Sequence, residues 1–185
     1  MKNILIYSVL SILCLTNLIF SQNLWEKIQS PTTKNLQKIV FVDSLTGWAV
    51  GDSGVIIHTS NAGLNWEIQN SDINLDLFSV SFPDKNFGWA LSSLNSPPYG
   101  SIILKTFDGG SSWKNETYNG QDNFLSSIFF IDSLNGWIGA YYGGILYTTD
   151  GGNLWNQAVI DSFSGYPINN FVFADKYYGF AAGGR

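Results

Sequence analysis

Few side chains in this sequence could take part in bond-making. The sole histidine, His58, sits in the apolar run Val55-Ile56-Ile57-His58-Thr59, with no second histidine to share a metal or relay a proton. The single cysteine, Cys14, lies in an apolar N-terminal run, and the single arginine, Arg185, is the last residue. No serine stands in the Gly-x-Ser-x-Gly elbow that positions a hydrolase nucleophile. Glycoside hydrolysis needs only two carboxylates flanking a sugar, and Asp52 and Asp122 are the acids available for it. Nothing around either in the sequence argues for a raised pKa. Asp108 and Asp150 recur once per repeated unit, whereas a catalytic acid is needed once or twice per protein. Repetition assigns them to construction. No catalytic residue, metal ligand set or cofactor is expected.

The elements that carry these residues repeat. Ile39 to Gln69 reads IVFVDSLTGWAVGDSGVIIHTSNAGLNWEIQ, and Ser127 to Gln157 reads SIFFIDSLNGWIGAYYGGILYTTDGGNLWNQ. A second copy opens SVSFPDKNFGWAL at Ser79 and ends ILKTFDGGSSWKNE at Glu116; a fourth opens FVFADKYYGFAAGG at Phe171. Asp43, Asp84, Asp132 and Asp175 mark one position at spacings of 41, 48 and 43. A period of 40–50 residues rich in strand signals is that of a β-propeller blade. Each unit divides into four short strands, and no stretch beyond the N-terminal run keeps apolar residues at helical spacing. The fold class is therefore all-β: a propeller of four-stranded antiparallel blades. The expected blades are 39–69, 77–117 and 125–160, with an incomplete one at 170–185. Inner strands such as Ile39–Val42 are expected to be buried on both faces. Residues 24–29 read as a lead-in outer strand, because Trp25-Glu26-Lys27-Ile28-Gln29 resembles Trp66-Glu67-Ile68-Gln69.

The sharpest signal lies between the third and fourth strands. It runs Thr106-x-Asp108-x-Gly110-x-x-Trp113 and Thr148-x-Asp150-x-Gly152-x-x-Trp155, with Thr59-x-Asn61-x-Gly63-x-x-Trp66 as a degenerate copy. A short carboxylate accepts backbone N–H bonds across the turn, glycine supplies positive φ, the threonine hydroxyl closes the turn, and tryptophan supplies buried area. The pattern resembles the Asp-box, or bacterial neuraminidase repeat. Asn61 keeps the acceptor without the charge.

F-x-D-S-x-x-G-W-x-x-G followed by T-x-D-G-G-x-x-W resembles the propeller family of photosystem II stability and assembly factors. The Gly-Trp pairs Gly47-Trp48, Gly88-Trp89 and Gly136-Trp137 carry that likeness. The resemblance implies a non-catalytic scaffold that grips other proteins. It also implies about seven blades, so the chain is expected to be part of a longer propeller; a closed four-bladed ring is the alternative. Asp-boxes occur in sialidases and polysaccharide-cleaving glycosidases too, and a segment of such an enzyme is the rival reading. A sialidase would need three arginines on the substrate carboxylate, and Arg185 alone does not supply them.

Composition narrows the partners. Nine Lys+Arg against fourteen Asp+Glu gives a net charge of −5, which opposes a nucleic-acid footprint. Residues 1–21 read as a cleaved signal peptide: Met1-Lys2, an apolar run from Ile4 to Phe20, then Ser21. Leu13 is too large to precede a lipidated cysteine, so Cys14 is not expected to anchor a lipid. The mature chain is then exported to the periplasm, cell surface or exterior, with no membrane span and no cysteine for disulfides. The second unit is longest, with its excess at Ser92–Gly100, a second-to-third-strand loop on the face opposite the Asp-boxes. Pro97, Pro98, Tyr99, Tyr141 and Tyr142 are the candidate contacts there, for a protein or a cell-surface polysaccharide.

Overall fold

The computed structural model describes residues 26–94, 96–120, 124–159 and 165–184. Three four-stranded antiparallel meanders and a two-stranded sheet follow one another along the chain. The first blade is β1 (Leu36–Phe41), β2 (Gly47–Gly51), β3 (Ile56–Thr59) and β4 (Glu67–Gln69). The second is β5 (Leu77–Ser81), β6 (Gly88–Leu94), β7 (Gly100–Thr106) and β8 (Lys114–Tyr118). The third is β9 (Leu125–Phe130), β10 (Gly136–Ala140), β11 (Ile145–Thr148) and β12 (Asn156–Gln157), followed by β13 (Ile168–Phe173) and β14 (Gly179–Gly183). The chain is a partial β-propeller. Among the described residues no helix is long and apolar enough to cross a membrane.

The apolar core lies between blades. Trp48, Val50 and Ile56 of the first pack on Leu77, Val80, Phe82 and Leu104 of the second. Trp89, Leu91 and Ile103 repeat the arrangement against Leu125, Ile128, Phe130 and Leu146. Backbone-to-serine bonds join neighbouring inner strands: the Ile128 and Phe130 N–H groups donate to Ser79 Oγ and Ser81 Oγ at 3.1 and 2.8 Å. The two most buried tryptophans are those of the Gly-Trp pairs, Trp48 and Trp89, both 0% exposed. Glycine precedes each because a phenylalanine of the same blade lies over it: a Cβ at Gly88 would clash with the Phe82 ring, and one at Gly47 would meet the Phe41 ring at 2.9 Å.

Three expectations need correction. Strand β1 is exposed along most of its length, with Ile39 at 56%; on the face of Ile39 and Phe41 the ring contact is that of Phe41 with Trp66 of its own blade. Of the expected lead-in strand, Leu24 and Trp25 lie outside the described residues, and 26–29 form no strand with any of the described residues. The extra length of the second blade does not all form a loop. Part of it extends the β6–β7 hairpin, paired as far as Leu94 with Gly100. The signal-peptide reading of residues 1–21 concerns residues outside those described.

Candidate functional site

Antiparallel alternation sends the Asp-box turns and the β1–β2-type turns to one face of the propeller. The β2–β3-type turns and the links between blades go to the other. On the first face the Thr and Asp or Asn side chains of the boxes are occupied in building turns. Thr106 Oγ1 donates to Asp108 Oδ1 at 2.8 Å and accepts the Gly110 N–H, also at 2.8 Å. The same carboxylate accepts the Ser112 N–H and hydroxyl. Thr148, Asp150 and Gly152 repeat this, with the Asn153 and Leu154 N–H groups each donating to Asp150 Oδ1 at 3.0 Å. In the first blade Thr59 bonds Asn61 and Gly63, and Asn65 N–H reaches Asn61 Oδ1 at 2.9 Å. Trp113 is buried, while Trp66 and Trp155 are half-buried. These bonds hold Asp108 and Asp150 below the ordinary carboxylate range, the Ser112 hydroxyl leading at Asp108 and the Leu154 N–H at Asp150.

The opposite face carries the aromatic cluster. The turn after β10 closes with the Gly143 N–H on the Ala140 carbonyl, which projects Tyr141 and Tyr142 outward. Tyr141 N–H donates to the Phe124 carbonyl at 2.7 Å, tying that turn to the link entering β9. The Tyr142 ring stands edge-on to Tyr141 (5.6 Å, 82°) and to Phe124 (6.2 Å, 89°). Together with Tyr99, Ser93, Leu94 and Leu125, these three rings line a cleft of about 370 Å³. A second cleft of about 320 Å³ shares Ser93, Leu125 and Tyr141 and adds Phe78, Pro167 and Asn169. Tyr99, Tyr141 and Tyr142 remain 56–58% exposed.

The structure thus brings Tyr99, Tyr141 and Tyr142 together. Pro97 and Pro98 are exposed beside them without lining either cleft. Phe124, Phe78 and Pro167 belong to the clefts and were missed by sequence reasoning. Phe78 lies near the start of β5, and Phe124 and Pro167 lie in the links between blades, where the repeat gives no signal.

The acids weighed for hydrolysis behave differently. Asp52 accepts from the Gln37 and Asn35 side-chain amides, which lower its pKa, the opposite of what a general acid needs. Asp122 lies outside the described residues. His58 packs on Trp48 with ring centroids 4.9 Å apart, and burial lowers its pKa while Glu67 opposes the shift. Among the described residues no group of three or more His, Cys, Asp or Glu could hold a metal ion.

Comparison with known proteins agrees with the architecture. A family profile described as photosynthesis system II assembly factor YCF48 matches residues 18–114 and 71–170. The photosystem II assembly lipoprotein Ycf48 of Synechococcus sp. (strain CC9902) is 24% identical over 149 residues, 77% of this chain and 42% of that protein. The photosystem II assembly protein Ycf48 of Thermosynechococcus vestitus (strain NIES-2133 / IAM M-273 / BP-1) is 37% identical over 65 residues, 32% of this chain and 18% of its own. A solved structure of YCF48 bound to D1 peptide superposes with a TM-score of 0.68 at 28% identity, covering 82% of this chain and 47% of that one. YCF48 from Cyanidioschyzon merolae shares the fold, with a TM-score of 0.63 at 22% identity over 75% of this chain and 44% of its own. The chain therefore spans less than half the length of these relatives. With Gly-Trp pairs and Asp-boxes in successive blades, and a profile match over most of its length, the chain belongs to the photosynthesis system II assembly factor YCF48 family.

Proposed function

We propose that this chain is a non-catalytic scaffold that grips a segment of another protein on the face opposite its Asp-boxes. The observation that carries the reading is the group of three exposed tyrosines over two adjoining clefts, on the face opposite the Asp-box turns. Large, stiff aromatic rings give contact area at little conformational cost, which suits a binding surface. A similar solved propeller is bound to a peptide, named D1 peptide, which supports a polypeptide partner here. Export is part of the proposal: residues 1–21 have the pattern of a signal peptide, and the Synechococcus relative is a lipoprotein.

The experiment is site-specific photo-cross-linking from position 142 in the cell envelope. The expected result is a covalent adduct with a polypeptide that weakens when Tyr99 and Tyr141 are replaced by Ala. Sugars also stack on tyrosine, so soluble polysaccharide serves as competitor. An adduct abolished by polysaccharide, or one unaffected by the tyrosine substitutions, would overturn the reading.

A further inference from the structure

We infer that the face of the first blade turned away from the second is a docking site for another copy of this chain, whose β13–β14 sheet seats on it as one blade seats on the next.

The first ground is an accepting half that is built and unfilled. Within the chain each inner-strand phenylalanine takes an indole from the preceding blade: Phe82 takes Trp48, Phe130 takes Trp89 and Phe173 takes Trp137. Phe41 holds the same place in β1, opposite Gly47 as Phe130 is opposite Gly136 and Phe173 opposite Gly179. It already meets its own box tryptophan, Trp66, at 6.0 Å and 85°, against 5.8 Å and 84° for Phe82 with Trp113. Among the described residues no ring stacks on it from a preceding blade. Phe41 is 43% exposed, where Phe82 and Phe130 are 5% and 2%. Ile39 beside it is exposed, where its counterparts Val80 and Ile128 are buried.

The second ground is the matching half on β13–β14. Val172 lies opposite Phe180 in the register that sets Val40 opposite Trp48, so Phe180 stands where a Gly-Trp pair has its indole. Phe173 faces the third blade, and strand alternation turns Val172 and Phe180 away from it. Phe180 is 73% exposed and Val172 is exposed beside it. Asn170, also exposed, stands where Ser79 does, whose hydroxyl accepts the N–H of Ile128 in the next blade. The offered half thus carries both an apolar ring and a polar group for the next inner strand.

Two complementary halves on different blades of one chain make the contact head to tail, a repeat of an interface the chain forms twice within itself. Phe180 has no N–H for the Ala62 carbonyl, whose equivalents at Gly109 and Gly151 accept from Trp48 and Trp89. The new joint is therefore weaker than an internal one, and reversible. Three four-stranded blades and a two-stranded sheet from each of two copies stay within the range of about four to eight blades that closes a propeller, which favours a dimer over a filament.

The test is sedimentation velocity of the full chain over a range of concentrations, where a reversible dimer is expected. Phe41→Lys, which spoils only the accepting half, and Phe180→Lys, which spoils only the offered half, should each raise the dissociation constant at least about tenfold. Ile39→Lys serves as a second variant of the accepting half, with circular dichroism checking that each variant keeps its fold. Mixing the Phe41→Lys and Phe180→Lys chains should restore a one-to-one dimer, because one retains the offered half and the other the accepting half. A chain that stays monomeric at every concentration would overturn the inference, and so would a dimer indifferent to both substitutions. A dimer lost with Phe41→Lys and kept with Phe180→Lys would mean two first blades face to face, and would overturn it too, as would a mixture no more associated than its parts. The tyrosine clefts take no part in this contact, so none of these results bears on the peptide-scaffold reading.

Discussion

Trp48 and Phe82 lie face to face across two blades, their ring centroids 3.7 Å apart and their planes within 5°. Trp48 Nε1 also donates to the Gly109 carbonyl, in the Asp-box of the second blade, at 3.1 Å. The relationship repeats one blade on: Trp89 stacks on Phe130 at 3.5 Å and 4°, and its Nε1 reaches the Gly151 carbonyl at 3.2 Å. Each phenylalanine meets the box tryptophan of its own blade edge-on, Phe82 with Trp113 and Phe130 with Trp155. The Gly-Trp pair and the Asp-box are therefore two halves of one joint between successive blades. A rigid joint is what a binding face needs when its side chains come from different blades.

Trp89 should be among the most costly residues to replace. Trp89→Ala removes a fully buried ring and is expected to cost about 3–5 kcal/mol. Trp89→Phe keeps an aromatic surface against Phe130 but leaves the Gly151 carbonyl without its donor, at about 1–3 kcal/mol. Urea denaturation of the two variants checks the order. Equal loss would mean that the hydrogen bond contributes everything and the stack nothing.

The degenerate first box can be improved. Ala62 adopts a φ of 62°, where the other two boxes place Gly109 at 69° and Gly151 at 74°. Left-handed backbone strains a residue with a Cβ by about 1–2 kcal/mol, partly offset by the greater unfolded-state entropy of glycine. Ala62→Gly should therefore stabilise the chain by about 0.5–1 kcal/mol. In the third box Asp150→Ala should lower Tm and Asp150→Asn should lower it less, since Asn61 already makes the equivalent bonds in the first blade. Thermal melts decide both; a destabilised Ala62→Gly would refute the strain argument.

Much of this was legible because the repeat states each contact several times. The box turns and the succession of blades follow from residues recurring at one position in each unit, whereas Tyr99, Tyr141 and Tyr142 stand out by their place in the loops between second and third strands. The inter-blade partner of each Gly-Trp was not legible. Phe82 and Phe130 fall in ordinary apolar strand runs, and only the docking of successive sheets shows that they stack on the preceding blade's tryptophan. The exposure of Ile39 was hidden for the same reason, since an apolar strand looks alike whether or not a neighbour covers it. Phe124 and Pro167 lie between units, where the period carries no information.

Stability should fall with acid in two stages. His58 has a folded pKa below its ordinary value of about 6.5, because burial disfavours the charged form. Its contribution is complete above about pH 6.5 and is lost as pH falls from there through the lower folded value. The carboxylates come next. Asp43 is held well below the usual range, first by Lys85 at 2.8 Å and then by the Leu45 and Thr46 N–H groups, and Asp108 and Asp150 are also lowered. Their contribution is complete above about pH 4 and is lost as pH falls through the lowered folded values. Tm should thus be flat above pH 7, decline gently below about 6.5 and drop steeply below about 4. His58→Gln should remove only the gentle decline. A Tm that rises between pH 7 and 5 would reverse the sign assigned to His58.

Lys105 tests whether an ion pair within the second blade or a hydrogen bond across to the third contributes more to stability. Its side chain is only 5% exposed, and its ammonium group contacts both Glu116 Oε1, at 2.5 Å, and the buried Gly152 carbonyl. Glu116 is 45% exposed, so water and salt screen the ion pair, which contributes about 0–1 kcal/mol. The carbonyl has no such relief. Lys105→Ala removes its donor and the packing of the aliphatic stem, with an expected cost of at least about 1–3 kcal/mol. Lys105→Met keeps the stem and should cost less, and Glu116→Gln should cost least. Denaturation in low and in about 0.5 M salt separates the two contributions, because a screened ion pair fades with salt and a buried hydrogen bond does not. If Glu116→Gln proved as damaging as Lys105→Ala, the ion pair within the second blade, and not the bond to the Gly152 carbonyl of the third, would carry the contribution of Lys105.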